Sequence, residues 1–301
     1  MSADIRFATP SDFLALAYFI EVYNQPSTAQ CIQTGTGENA ENLLVELEKL
    51  HAAGEIIFAL ALENDQLIGV IGCEFAEGEG RGWVRGPLIA IPAQSGSQTF
   101  DFQDLAGALY HALATALPPA IHIFDTFLNV ENLRGQAFYE RQGYGLRSRH
   151  HVYVAARPDQ VKPPQLVCFP MEPGQLNAVM TLHNRVFPGS RTGQDVLKEL
   201  DDDHRVWVYA LDGEVQGYVF AVIEAWAEGG YVEFLGVRED ARGRGVGGAL
   251  LVTALHWCFA ERGMPEMGLT VEDGNVNARG MYERAGFRLK YSGVNQRFER
   301  K

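Results

Sequence analysis

With 301 residues, 47% of them hydrophobic and 21% charged, the chain can build one large or two medium globular bodies without disulfide or metal staples. A net charge of −13 excludes the basic surface that nucleic-acid binding needs. No C-x-x-C or zinc-finger spacing, no cationic leader and no apolar run of about 18 residues occurs, so no metal, secretion or membrane span is expected, and Cys31, Cys73, Cys168 and Cys258 read as buried reduced thiols of a cytoplasmic protein.

In chain order, residues 5–8 read as a strand and Pro10-Ser11-Asp12 as the start of a helix to Tyr23. Residues 24–39 are polar and glycine-dotted. A helix over 40–53 is predicted by Leu43, Leu44, Leu47 and Leu50, with Gly54 ending it. Strands 55–62 and 67–75 form a hairpin, and a strand over 83–91 is interrupted at Gly86-Pro87. A helix over 102–117 and a strand over 121–128 follow, and His150-His151 lies in an alternating strand over 149–154. Neighbouring strand residues face opposite ways, so the two histidines do not share a metal.

Residues 132–144 read NLRGQAFYERQGY and 275–287 read NVNARGMYERAGF, at a constant offset of 143. Asn132 matches Asn275 and Tyr139 matches Tyr282. Gly69 in the 58–70 hairpin likewise faces Gly217 in the second hairpin. A repeat of half the chain means two copies of one fold rather than a solenoid. The expected organisation is therefore a domain over 1–154, a proline-stiffened linker over 155–165 and a second domain over 166–301.

In the second copy a strand over 166–169 and helices over 174–187 and 193–203 are predicted, the last ending in Asp201-Asp202-Asp203, read as a solvated surface. A hairpin of 206–211 and 215–225 turns at Asp212-Gly213. Residues 231–237 are apolar apart from Glu233 and read as a largely buried strand. The next eleven residues, 238–248, carry four glycines and three arginines, and a helix over 249–262 follows. Free N–H groups at a helix start, beside a glycine-rich turn, suit a phosphate. A Walker A loop would need Lys-Ser or Lys-Thr after Gly248. A dinucleotide fingerprint is formally met by Gly243, Gly245 and Gly248, but it begins six residues after Val237 rather than in the tight turn. The pattern R-x-x-G-x-G is met by Arg242, Gly245 and Gly247, and the strand 267–272 with Asn275, Ala278, Tyr282 and Gly286-Phe287 follows in order. Strand 289–291 and residues 294–298 are expected to close the second domain's sheet.

These residues resemble the GNAT superfamily of N-acetyltransferases, closely over 231–287 and more loosely from Leu166. The resemblance implies an α/β fold of two tandem GNAT-like domains, each a mostly antiparallel sheet flanked by helices. It implies that Arg242, Gly243, Arg244, Gly245, Val246, Gly247 and Gly248 wrap the diphosphate of acetyl-CoA. Leu235, Gly236 and Val237 would pair with the pantetheine amides and supply oxyanion donors, Asn275 would bind the pantetheine arm, and Tyr282 would protonate the leaving thiolate. Tandem copies and the run V-E-x-x-N ending at Asn275 also resemble the mycothiol synthase group.

The expected reaction is direct acetyl transfer to a primary amine of a small molecule. Glu233, a lone carboxylate in an apolar strand, is the first candidate base and Glu224 the second. Aligning Gly107-Ala108-Leu109 with Gly248-Ala249-Leu250 puts Asp101, Asp104 and Ala106 where the second copy has Arg242, Gly245 and Gly247. Two carboxylates there repel a diphosphate, so the first copy reads as degenerate. A non-catalytic acyl-CoA-binding module and a dinucleotide-dependent oxidoreductase remain as alternatives. Monomer and homodimer both fit, because two copies in one chain can complete a pocket that other members form by pairing.

Overall fold

The computed structural model describes residues 3–31, 39–90, 101–159, 163–164, 166–188, 192–198, 200–224 and 229–300, except the side chains of Asp195 and Glu224. Parts of the polar stretch 24–39 and of the 155–165 linker lie outside the described residues, as does the Glu224 carboxylate. The same order of elements forms twice. The first copy runs β1 (Asp4–Phe7), α1 (Phe13–Tyr23), α2 (Ala40–Ala53), β2 (Ile56–Glu63), β3 (Gln66–Ala76), β4 (Arg81–Ile89), α3 (Phe102–Ala116), β5 (Ile123–Asn129), α4 (Leu133–Arg141) and β6 (Gly145–Ala156). The second runs β7 (Phe169–Pro170), α5 (Leu176–Val186), α6 (Gly193–Lys198), β8 (His204–Leu211), β9 (Glu214–Glu224), β10 (Gly229–Val237), α7 (Val246–His256), β11 (Glu266–Glu272), α8 (Val276–Arg284) and β12 (Arg288–Glu299).

Matching local chemistry starts matching elements. Thr9 and Glu172 each open a capping box with proline at the next position, ahead of α1 and α5. Asn132 and Asn275 cap α4 and α8 at nearly equal dihedrals, φ −78°, ψ 64° and φ −88°, ψ 61°. Some ends differ from expectation. α7 begins at Val246 rather than 249 and continues through a π turn, Trp257–Glu261. The helix expected over 193–203 stops at Lys198, because Asp201 turns its carboxylate onto the N–H groups of Asp203 and His204 at 2.7 and 2.8 Å.

Contacts divide the chain into two units. One holds Met1–Thr34, Glu38–His150 and Ser292–Lys301, the other His151–Tyr291. The first unit's sheet has the order β1-β2-β3-β4-β5-β12, with only β4 and β5 parallel. Leu16, Ile20, Leu43, Leu47, Leu105 and Leu109 fill its core. The second unit's sheet has the order β6-β11-β10-β9-β8-β7, with β10 and β11 parallel. Leu250, Leu251, Ala254 and Trp257 of the α7 helix and its π turn build one of its cores, and Val179, Leu182, Tyr218 and Phe220 another.

This division differs from the boundary expected at 155–165. From His151 onward β6 belongs to the second unit, while β12, expected to close the second sheet, pairs with β5 in the first. Each repeat thus gives the latter part of its last strand to the other unit. Asp125 fixes the register in the first. Its carboxylate, 1% exposed, accepts from Arg81 Nε at 2.8 Å and from Arg297 Nε and Nη2 at 2.9 and 2.7 Å. Asp125→Asn leaves the guanidinium groups of Arg81, Arg297 and, at 3.8 Å, Arg147 without their shared carboxylate, though all three still reach some water. It is expected to cost about 2 to 3 kcal/mol, read as a lower urea midpoint at unchanged slope.

The four cysteines are free thiols, three buried and Cys168 half-buried. Burial pushes the Cys73 and Cys258 thiols up to about 12, which keeps them unreactive at neutral pH. No helix among the described residues is long and apolar enough to cross a membrane.

Candidate functional site

β10 has two neighbours for only part of its length. Residues 229–232 pair with 266–269 of β11, whereas pairing with β9 continues to Val237 opposite Gly217. The register slips by one residue at Glu233, and a bulge of this kind bends a strand and increases its twist. Beyond it β10 and β11 share no paired residues, so one backbone edge of Leu235, Gly236 and Val237 faces a groove. Glu233 is half-buried at the head of that groove.

The glycine-rich loop lies at the groove's far end. A 3-10 turn, Glu239–Ala241, separates it from β10, unlike the tight turn of a dinucleotide fold. Gly243 and Gly245 have φ of 74° and 83°, values that a side chain resists, and a Cβ at either would meet nothing within 4 Å. Conformation, not crowding, therefore demands glycine there. Gly245 caps α7 without any side-chain hydrogen bond, leaving the first N–H groups of the helix uncovered. The three arginines differ in availability. Arg238 is held by Glu214 and Asp240 at 2.8 and 2.7 Å. Arg242 is exposed and has one side-chain hydrogen bond among the described residues, Nε to the Val237 carbonyl at 3.3 Å, and Arg244 is exposed with no ion pair among them. Two cations and a helix N-terminus thus converge where an anion gains most.

α8, which carries Tyr282 and is capped by Asn275, reaches the same place through Met281. A Cβ on Gly247 would stand 3.0 Å from Met281 Sδ, 3.6 Å from Val237 and 3.7 Å from Leu235, so the loop, β10 and α8 meet there. Tyr282, next to Met281, is 8% exposed, and its hydroxyl has no hydrogen-bond partner among the described residues. Burial pushes its pKa up to about 12, so it holds its proton at neutral pH. Asn275 caps α8 by accepting from Ala278 N–H at 3.3 Å, and its Nδ2 is left without a partner among the described residues.

The profile of the acetyltransferase (GNAT) family matches residues 176–287, which contain this groove. An acetyltransferase of Pectobacterium atrosepticum is 32% identical over 122 residues, which is 39% of this chain and 82% of the relative. The chain belongs to the GNAT acetyltransferase family. Solved structures show that the fold extends over its whole length. A GCN5-related N-acetyltransferase from Sphaerobacter thermophilus superposes with a TM-score of 0.74 at 20% identity, covering 99% of this chain and 95% of that one. A tandem GNAT protein from the clavulanic acid biosynthesis pathway superposes with a TM-score of 0.63 at 11% identity, covering 98% of both.

The first GNAT copy has the same groove, and the chain itself fills it. β4 and β5 pair only from Arg81–Ile123 to Val84–Thr126 and then part. Gln30 and Cys31 lie between them. Gly86 N–H of β4 donates to the Cys31 carbonyl at 3.3 Å, and Asn129 N–H of β5 donates to the Gln30 carbonyl at 3.1 Å. Asn132, the counterpart of Asn275, donates its Nδ2 to that Gln30 carbonyl at 3.2 Å. Tyr139, the counterpart of Tyr282, is fully buried and donates to the Gly86 carbonyl at 2.7 Å. Pro87, at the register position of Leu235, has no N–H to offer. The helix N-terminus is closed too, since Asp101 caps α3 by accepting from Gln103 and Asp104 N–H at 2.8 and 3.3 Å. Asp101 and Asp104 are visible in the sequence, whereas the Gln30-Cys31 segment is not, because it bonds mostly through its backbone groups.

Proposed function

We propose that the second GNAT copy transfers the acetyl group of acetyl-CoA directly to a primary amine of a small molecule, and that the first copy binds no acetyl-CoA. One observation carries this reading: Gln30 and Cys31 lie in the first groove with the Gln30 carbonyl held by Asn132, while Asn275 in the second groove has no partner for its Nδ2 among the described residues. The pantetheine arm, an extended chain with two amides, takes in the second copy the place that Gln30 and Cys31 take in the first.

Each residue then has a task. Arg242, Arg244 and the N–H groups of 245–248 hold the diphosphate, and the free edge of Leu235, Gly236 and Val237 pairs with the arm. Asn275 Nδ2 donates to an amide carbonyl. Backbone N–H groups of the same edge stabilise charge on the thioester oxygen as the amine nitrogen attacks its carbonyl carbon. The C–S bond breaks, the Tyr282 O–H gives its proton to the departing sulfur, and Glu233 takes the proton lost by the amine, directly or through water. Holding donor and acceptor together supplies the entropic part of the acceleration. The enzyme works in the cytoplasm as a monomer or homodimer.

The test is thiol release from acetyl-CoA across a broad panel of primary amines. Amine-dependent release is the expected result. Tight acetyl-CoA binding without release for any amine would instead leave a non-catalytic acyl-CoA-binding module.

A further inference from the structure

We infer that the buried pair His183–Tyr218 is a positioning device for the groove edge of β10, an inference that rests on the proposed transfer reaction. Tyr218 on β9 is fully buried and His183 on α5 is 1% exposed, with His183 Nδ1 and the Tyr218 hydroxyl 2.6 Å apart. Burial raises the tyrosine pKa, so the phenol keeps its proton. His183 is the hydroxyl's only partner among the described residues.

The pair touches the strand where it is least supported. A Cβ on Gly236 would stand 2.6 Å from Tyr218 Cε1, so the tyrosine ring lies directly over the Gly236 backbone and only glycine fits beneath it. The His183 ring meets Phe234 edge-on, with centroids 4.6 Å apart. Phe234 and Gly236 flank Leu235, and at these positions β10 is paired on the β9 side alone. A strand with one neighbour can shift sideways. The tyrosine ring and the imidazole, locked to each other, restrain it at two points.

Comparison with the first copy separates positioning from packing. The register of Gly69 with Gly217 and of Pro10 with Pro173 puts Ile20, Val70 and Leu88 where the second copy has His183, Tyr218 and Gly236. All three are buried hydrocarbons. The same fold therefore closes with an apolar cluster when its groove is filled. A buried polar pair contributes less than such a cluster and fails badly if one partner is lost, so stability alone does not account for it. What the open copy requires and the filled copy does not is a backbone edge held at fixed distance from a substrate.

The experiment compares Tyr218→Phe, which keeps the ring and removes the bond, with His183→Leu and His183→Gln, whose side-chain amide can still pair with the Tyr218 hydroxyl. Acetyl-CoA affinity is measured by calorimetry, and kcat and KM by thiol release. Tyr218→Phe and His183→Leu are expected to lower kcat by roughly 5- to 50-fold with acetyl-CoA affinity within about twofold, and His183→Gln to recover most of the loss. Unchanged kcat in Tyr218→Phe and His183→Leu overturns the inference, as does a loss that His183→Gln does not relieve. Gly236→Ala, which pushes the strand away from the ring, covers the case in which a His183 variant fails to fold, and it should lower kcat likewise. Tyr282→Phe run in parallel separates the two levels. Lost turnover there with normal turnover in Tyr218→Phe removes only this inference, whereas a wild type that binds acetyl-CoA without turnover removes the proposed reaction and this inference with it.

Discussion

Replacing Tyr282 by phenylalanine is expected to lower kcat by roughly 10- to 1000-fold while acetyl-CoA affinity stays nearly unchanged. The hydroxyl has no partner among the described residues, and its pKa of about 12 means that the proton is present across the working range. Removing it takes away a donor that acts only as the sulfur departs, so the loss falls on kcat rather than on binding. The matched change Tyr139→Phe has a different expected result. That hydroxyl is spent on the Gly86 carbonyl in a filled groove, so its loss should cost about 1 kcal/mol of stability and leave kcat unchanged. Steady-state kinetics and urea unfolding of both variants check the pair. If Tyr139→Phe were the one that lost turnover, catalysis would belong to the other copy.

Gly245→Asp is expected to weaken acetyl-CoA binding by at least about 100-fold. Three effects add. An aspartate at φ 83° costs roughly 1 kcal/mol of backbone strain, its charge opposes a diphosphate, and its carboxylate can cap the N–H groups meant for the ligand. The first copy already shows that last effect, with Asp101 closing the start of α3. Reversing it there should achieve nothing. Asp104→Gly is expected to bind acetyl-CoA as the wild type does, because the Gln30-Cys31 segment still fills the groove. Calorimetric titration of both variants distinguishes these outcomes.

How much of this was legible in the sequence depends on the range of the interaction. The glycine loop, the Asn275 cap and the Tyr282 helix are local patterns, and the structure brings them together at Gly247, Met281, Val237 and Leu235. The exchange of last strands was not legible. β6 and β12 follow equivalent motifs in the two copies, and what assigns β12 to the first sheet is Arg297 meeting Asp125, a pairing across most of the chain. Nor was the filled groove. Gln30 and Cys31 sit in a polar, aperiodic stretch, and they bond mostly through their backbone groups, which leave little trace in their own residue type. The repeat even misleads at one point, since Tyr139 and Tyr282 are the same residue in the same motif. Only the presence or absence of a neighbouring carbonyl separates a structural hydroxyl from an available one.

One acetyl-CoA site per chain, in the second copy, is expected. Calorimetric titration of the wild-type protein with acetyl-CoA measures it directly. One tight site per chain, lost in Gly245→Asp, is the predicted result, and two equivalent sites, or a single site that survives Gly245→Asp, would contradict it.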